Sequence, residues 1–443
     1  MIAFVSLFLG LVIGAQPVTV RASGPVAAVE LLLDGAPAAR IEREPWTASV
    51  DFGAGLAPHE LVARALDDKG REIARARQWL NLPRPAAEMS ILLQRDDKGI
   101  ATGAQLSWAS LLPGPPAALA VTFDGRALPV KGAESFAIPS YDGASTHLLS
   151  ASAEFGNGIR CRADAVLGGR TSMETGSELT GVAVRLDPGA SLPDPAVLEG
   201  WLVCNGESLR PVGVERSAAQ VLVVRDLSTA EALSRLGRGG RTIIQPGRRG
   251  TLPVFDSEAL RLDLRLGDDD RIRFIWPSVR SVSTTSGAAE LFESSHEFRG
   301  REGGLHWLLT RVSHPGRPDP ERRYADATAV AGLQAIQSST RRAVLLVLGK
   351  KPVDASRHSP ATVRAYLERI HVPLFVWSLE PLASGGVSPW GPIEDVSNLA
   401  KLRVEVERLK RDLESQAIVW VEGQHLPQKI ALTEKARGME LVR

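Results

Sequence analysis

The chain has 443 residues, too many for one hydrophobic core and enough for about three domains of ordinary size. Its 52 Lys and Arg balance 51 Asp and Glu, a formal net charge of +1, which excludes a global field that would steer the chain to nucleic acid. Aromatic residues make up only 5% while Gly and Pro number 41 and 29, a composition that suits short strands and turns and excludes an all-helical bundle.

The first fifteen residues, MIAFVSLFLGLVIGA, form an apolar run of signal-peptide length, shorter than the roughly 20 residues a spanning helix needs. Residues 1–22 are read as an export signal or N-terminal hydrophobic segment, with a small-residue cleavage point at Gly14-Ala15. A buried first strand or an uncleaved anchor is the alternative, because no Lys or Arg precedes the run. The cysteines, Cys161 and Cys204, suit one disulfide in an oxidising compartment or two free buried thiols. With no Cys-x-x-Cys, a cysteine-based zinc or redox motif has no support.

Two segments then share a layout. LLLDG at 31–35 leads to PHELVARALDDKGREIARA at 58–76, and VTFDG at 121–125 leads to THLLSASAEFGNGIRCRA at 146–163. Asp34-Gly35 and Asp124-Gly125 stand 25 and 23 residues ahead of His59 and His147. Asp-Gly between apolar runs signals a tight hairpin, because Gly takes positive φ without steric cost. Each segment reads as several antiparallel strands, which predicts two β-sandwiches over 23–84 and 85–170. The repeated pattern resembles the bacterial immunoglobulin-like modules of exported multidomain proteins. For His59 and His147, ligand binding stands against a structural role at a strand start, and identical placement in both copies fits shared scaffold.

After LPDPAVLEG the period changes. A β unit over 171–215 leads into 216–443, where VLVV at 221–224, AVLLVLG at 343–349, PLFVWSL at 373–379 and AIVWVEG at 417–423 read as strands buried on both faces of a parallel sheet. Helical segments lie between the last three, over 361–371 and 396–416. In the second, Leu399, Leu402, Val406, Leu409 and Leu413 make one apolar stripe. Alternating strands and helices predict a doubly wound α/β domain, whose ligands sit beyond the carboxyl ends of its strands. GRGGRTIIQPGRRG at 237–250 and DDDRIRF at 268–274 lack the context of a phosphate loop and read as solvated loop ends.

LEGWLVCNGESLRPVGVERSAAQVLVVRDLSTAEAL, together with RRAVLLVLGKK and VPLFVWSLE, resembles the von Willebrand factor A (VWFA)-related domains of exported bacterial proteins over roughly 195–443. The resemblance implies a metal-ion-dependent adhesion site whose first two ligand positions fall on Asp226 and Ser228. Ala230 stands at the third, Leu305 where the family places a threonine, and Leu348-Gly349 where it has Asp-Gly. One carboxylate and one hydroxyl cannot give Mg²⁺ its near-octahedral oxygen shell. Asp226 and Ser228 are therefore vestigial candidates only, and no metal or cofactor is expected. Ser228 or Thr229 can instead cap a helix starting near Ala230, with Asp226 at its positive end.

The sequence holds no His-Glu-x-x-His, Gly-x-Ser-x-Gly or Gly-Lys-Ser/Thr motif. The expectation is a non-enzymatic exported protein, periplasmic, surface-bound or secreted, that binds protein partners and not nucleic acid, with cell-envelope association open. Its contacts would use apolar surface near Trp307 or Trp390, where core packing is the competing role. The alternatives are a hydrolase with groups in the 303–326 or 380–398 loops, or weak cation binding that recruits Asp326 or Asp354.

Overall fold

The structure is a computed structural model. It describes the chain except residues 1, 7, 9, 84–86, 97–99, 111–114, 125, 131–134, 144, 146, 156–159, 168–178, 188, 227–228, 237–241, 245–250, 254–263, 285–286, 315–320, 338–339, 350–352 and 381–387.

The first unit holds β1 (Ile2–Phe4), β2 (Ala15–Ala22), β3 (Ala28–Leu33), β4 (Ala36–Ile41), β5 (Thr47–Asp51), β6 (His59–Leu66) and β7 (Glu72–Leu80). One antiparallel sheet runs β1-β2-β5 and the other β4-β3-β6-β7. The second unit repeats this with β8 (Ala87–Arg95), β9 (Ala101–Ser110), β10 (Ala118–Phe123), β11 (Arg126–Leu128), β12 (Ser135–Ala137), β13 (His147–Glu154) and β14 (Arg160–Leu167). Its sheets are β12-β9-β8 and β11-β10-β13-β14, so the sequence repeat is a repeat of topology. Both units are immunoglobulin-like β-sandwiches.

The boundary at residue 22 is corrected by β2. Val18 and Val20 are 0% and 3% exposed in a core shared with Leu31 and Leu61. The alternation in AQPVTVRA is a strand signal that adjoins an unbroken apolar run and is hidden by it. Asn81, 2% exposed, fastens the preceding residues: its amide accepts from Val12 N at 2.7 Å and donates to Val12 O at 2.9 Å and Ala57 O at 2.7 Å.

Next come β15 (Leu179–Leu186), β16 (Leu202–Cys204), β17 (Glu207–Ser208) and β18 (Pro211–Glu215). The α/β unit follows with β19 (Gln220–Arg225), α1 (Thr229–Leu236), the short hairpin of β20 (Thr242–Ile244) and β21 (Thr251–Pro253), β22 (Arg271–Thr284), β23 (Gly287–Ser294) and β24 (Phe298–Arg299). It continues through α2 (Leu305–Arg311), α3 (Tyr324–Ala335), β25 (Arg342–Leu348), α4 (Pro360–Arg369), β26 (Leu374–Ser378), β27 (Glu394–Asp395) and α5 (Leu399–Ser415). The chain ends with β28 (Gln416–Glu422), β29 (Ile430–Leu432) and β30 (Met439–Leu441).

The α/β sheet has the order β23-β22-β19-β25-β26-β27, parallel from β22 to β27, with β23 antiparallel at its edge. On β19, Val221 and Val223 face a core shared with Leu233, Leu308 and the α5 stripe of Leu402, Val406, Leu409 and Leu413. Leu222 and Val224 face the other, with Tyr324, Leu346, Tyr366 and Leu367 of α3, β25 and α4. That explains why VLVV is apolar throughout: both faces of a central parallel strand are covered. Capping sets the helix starts, with the Ser359 hydroxyl accepting from Thr362 N at 3.1 Å and Asn398 Oδ1 from Lys401 N at 3.0 Å.

AIVWVEG does not join this parallel sheet. As β28 it lies antiparallel between β18 and β15 in a sheet ordered β18-β28-β15-β30, faced by β17-β16-β29. Val182, Val184, Leu202, Val419, Val421 and Ile430 fill the core between them. The β unit expected over 171–215 is thus not merely a lead-in; its described strands, β15 to β18, and the final strands build a third sandwich, with the α/β unit inserted between β18 and β28. A strand buried on both faces reads the same in a parallel sheet as in a covered antiparallel one, so periodicity could not separate the two. Cys161 and Cys204, on β14 and β16, are not joined by a disulfide.

The first unit also closes the α4 face of the α/β unit. Tyr366 donates its hydroxyl to Asn81 O at 2.9 Å, Arg369 Nη1 donates to Leu56 O at 2.7 Å, and Leu56 lies fully buried with Leu367.

Candidate functional site

The site built at the carboxyl end of β19 contains an acid with an internal cation. Asp226 is 7% exposed and its amide continues the ladder to Val347 O at 3.4 Å. Arg322, just ahead of α3, brings Nε to 3.6 Å from Asp226 Oδ1. The Tyr324 hydroxyl, raised well above its ordinary pKa by burial and by its bond to Asp226, donates to the same carboxylate. Arg225 completes the cluster from the neighbouring position, fully buried, with Nη2 donating to Val312 O at 2.7 Å and its guanidinium 5.8 Å over the Phe274 ring. Burial pulls the Arg225 pKa down to about 10, against the pull of Asp226.

Of the predicted ligand positions, Ser228 lies outside the described residues, as does Leu227. Thr229 does not cap α1 through an accepting hydroxyl; its Oγ1 donates to Asp226 O, and its amide donates there at 3.1 Å. Leu305 and Leu348, 0% and 5% exposed, belong to the cores on opposite faces of the sheet. Asp354 and Asp326 are engaged in holding α3. Asp354 accepts from Tyr324 N at 2.9 Å and Ala325 N at 3.2 Å. Asp326 accepts from Arg323 Nε at 2.8 Å and from the amides of Arg357 and His358 at 3.0 and 3.1 Å. Among the described residues, no three His, Cys, Asp or Glu side chains converge as a metal cluster.

Beside Val312 a cavity of about 410 Å³ opens, lined by Trp276, Ser295, His296, Phe298, Trp307 and Arg311 among others. Trp276 follows Ile275, the partner of Val224 on the next strand, so the cavity lies at the carboxyl edge of the sheet. Trp307 packs over Gly303, where an added Cβ would come to 2.7 Å from the ring. Trp390, 7% exposed, sits in the core with Tyr366. Arg322, Tyr324 and Val312 are missed by sequence reading because no local motif marks a residue whose partner is far along the chain. DDDRIRF also differs from expectation: Asp270 is 6% exposed, accepts from Ala219 N and Gly267 N at 2.8 Å each, and pairs with Arg341 at 3.3 Å. Of GRGGRTIIQPGRRG, only 242–244 lie within the described residues.

The structure joins the repeated Asp and His of the sandwiches into two equivalent latches. His59 Nδ1 donates to Asp34 Oδ2 at 2.7 Å, and His147 Nδ1 to Asp124 Oδ2 at 2.7 Å, each tying a hairpin turn to the start of a strand. Asp34 and Asp124 both have positive φ, 53° and 48°. The pairing makes the histidines scaffold. His147 is raised above its ordinary 6.5 by the bond to Asp124, against burial, with Asp142 O accepting from Nε2 at 3.1 Å. Its stabilising effect is therefore full below 6.5 and lost as pH rises through the folded-state value. An NMR titration should place the His147 midpoint above 6.5 and move it down in Asp124→Asn; an unshifted midpoint contradicts the latch.

No protein-family model matches the chain, and no curated protein matches it. Among solved structures, the chain is similar to fibronectin(III)-like modules of Clostridium thermocellum CbhA, at 19% identity over 18% of this chain and 93% of that one, with a TM-score of 0.17. It is similar to the central fibronectin-III array of RIM-binding protein at 9% identity, over 44% and 80% of the two chains, TM-score 0.22. A 1.5-MDa bacterial ice-binding adhesin matches at 13% identity over 45% and 76%, TM-score 0.15. The sandwich assignment rests on the strand order and cores described above, not on these likenesses.

Proposed function

We propose that the chain is a non-enzymatic, exported protein that binds a protein partner through its α/β unit, and that this unit is VWFA-like with an adhesion site that has lost its metal. The observation that carries the reading is the Arg322 guanidinium 3.6 Å from Asp226, a protein cation facing the acid to which a divalent ion would have to bind. Support comes too from the sheet, in which five parallel strands and an antiparallel edge strand deliver Asp226 at a carboxyl end. Export rests on the apolar run at 1–15. A candidate cut at Gly14-Ala15 falls at the start of β2, so it would leave β2 and remove β1.

The partner would meet the carboxyl edge, where the aromatic cavity is flanked by exposed Arg311 and Ser313. A photo-crosslinking residue at Ser313 should give discrete adducts in producing cells, whereas one at Val404, 61% exposed on α5, should give none. Equal adducts from both positions, or none from Ser313, contradict the reading.

A further inference from the structure

At the opposite, amino-terminal end of the parallel sheet, Arg342 opens β25 at 3% exposure. Its Nε donates to His371 O at 3.1 Å, and its backbone is clamped by the Gln416 amide at 2.8 and 3.0 Å. Among the described residues, neither Nη1 nor Nη2 has a hydrogen-bond partner and no carboxylate pairs with the guanidinium. Arg342 lines an open cavity of about 250 Å³, together with Trp79 of the first unit, Thr180 of the third, and Ile336, Ile370 and His371 at the carboxyl ends of α3 and α4. The guanidinium keeps two nitrogens open to the cavity and has no paired anion.

The geometry of the walls limits the occupant. The volume is just below the range of about 300–1,000 Å³ typical of drug-sized ligands. One end carries the free fork of Arg342, and the rest is mostly apolar, with Trp79 held in place by its Nε1 donating to Gln424 Oε1 at 2.7 Å. We propose that this cavity binds a small organic carboxylate, with its acid group on the two free nitrogens of Arg342 and its apolar body against Trp79, Ile336 and Ile370. A planar guanidinium matches a carboxylate bidentately, which an ammonium cannot do. Burial alone holds the Arg342 pKa down, to about 10, as expected where no acid is at hand.

The test uses the full chain and para-fluorobenzoate observed by fluorine NMR, with the neutral para-fluorobenzyl alcohol as comparator. Saturable binding of the acid, at least tenfold tighter than the alcohol and lost in Arg342→Met with circular dichroism unchanged, is the expected result. No saturation by the acid, equal binding of the alcohol, or undiminished binding in Arg342→Met overturns the proposal. Should Arg342→Met fail to fold, Arg342→Lys decides: a tenfold or greater loss supports the bidentate pairing, and an equal affinity overturns it.

Discussion

Ending the chain at Ser415 should abolish cooperative unfolding of the third sandwich and leave the product insoluble. The deletion removes β28, which lies between β18 and β15, together with β29 and β30. Ile418, Val419 and Val421 are fully buried, and Ile430, Met439 and Leu441 are 4%, 4% and 9% exposed. At about 1.5–3 kcal/mol for each such side chain, the loss matches or exceeds the roughly 5–15 kcal/mol that stabilises a whole domain. Beginning the chain at residue 195 has the same consequence from the other side, because it removes β15 and leaves β28 with one edge unpaired. Soluble expression and thermal melting of the truncated chains check this. A midpoint within a few degrees of the parent would show that the third sandwich does not depend on its distant strands.

The second large effect comes from Asp226→Ala, which should destabilise the α/β unit by about 2–3 kcal/mol. The substitution strands Arg322 without its acid and deprives the Tyr324 hydroxyl of its acceptor. Removing one partner of a buried ion pair costs about 3–5 kcal/mol, and the partial exposure of Arg322 reduces this by solvent screening. Arg322→Leu alone should cost less, because Asp226 keeps the Tyr324 hydroxyl. The double substitution should then fall short of the sum by about 1–2 kcal/mol, the coupling of residues in contact. Additive losses in denaturant melts would mean that the two side chains do not sense each other, and the internal-cation account would fail.

The origin of these effects was unequally legible in the sequence. The sandwich repeat shows in Asp34, His59, Asp124 and His147 because their spacing is local to one unit, and the structure turns each spacing into a bond. The α5 stripe was legible for the same reason: its period lies within one helix. What the sequence hid is non-local. Residues 417–423 are apolar whichever sheet receives them, so their return to β15 across an entire inserted unit leaves no periodic mark. At the candidate site, Asp226 was visible as the residue after an apolar strand, but Arg322 was one arginine among many until the fold set it against the acid. Asp270 reads as a solvated loop acid because consecutive charges obscure the one that turns inward to cap two amides.

The central claim is that Arg322, not a metal ion, neutralises Asp226. It is tested most directly by melting the full chain with millimolar Mg²⁺ or Mn²⁺ and again with a chelator, alongside Asp226→Ala. A divalent ion at about 100 times its dissociation constant would add roughly 2.7 kcal/mol, a shift of several degrees for a unit of this size. The account predicts that the midpoints with metal and with chelator coincide. A metal-dependent rise that disappears in Asp226→Ala would contradict it and return a bound cation to the carboxyl end of β19.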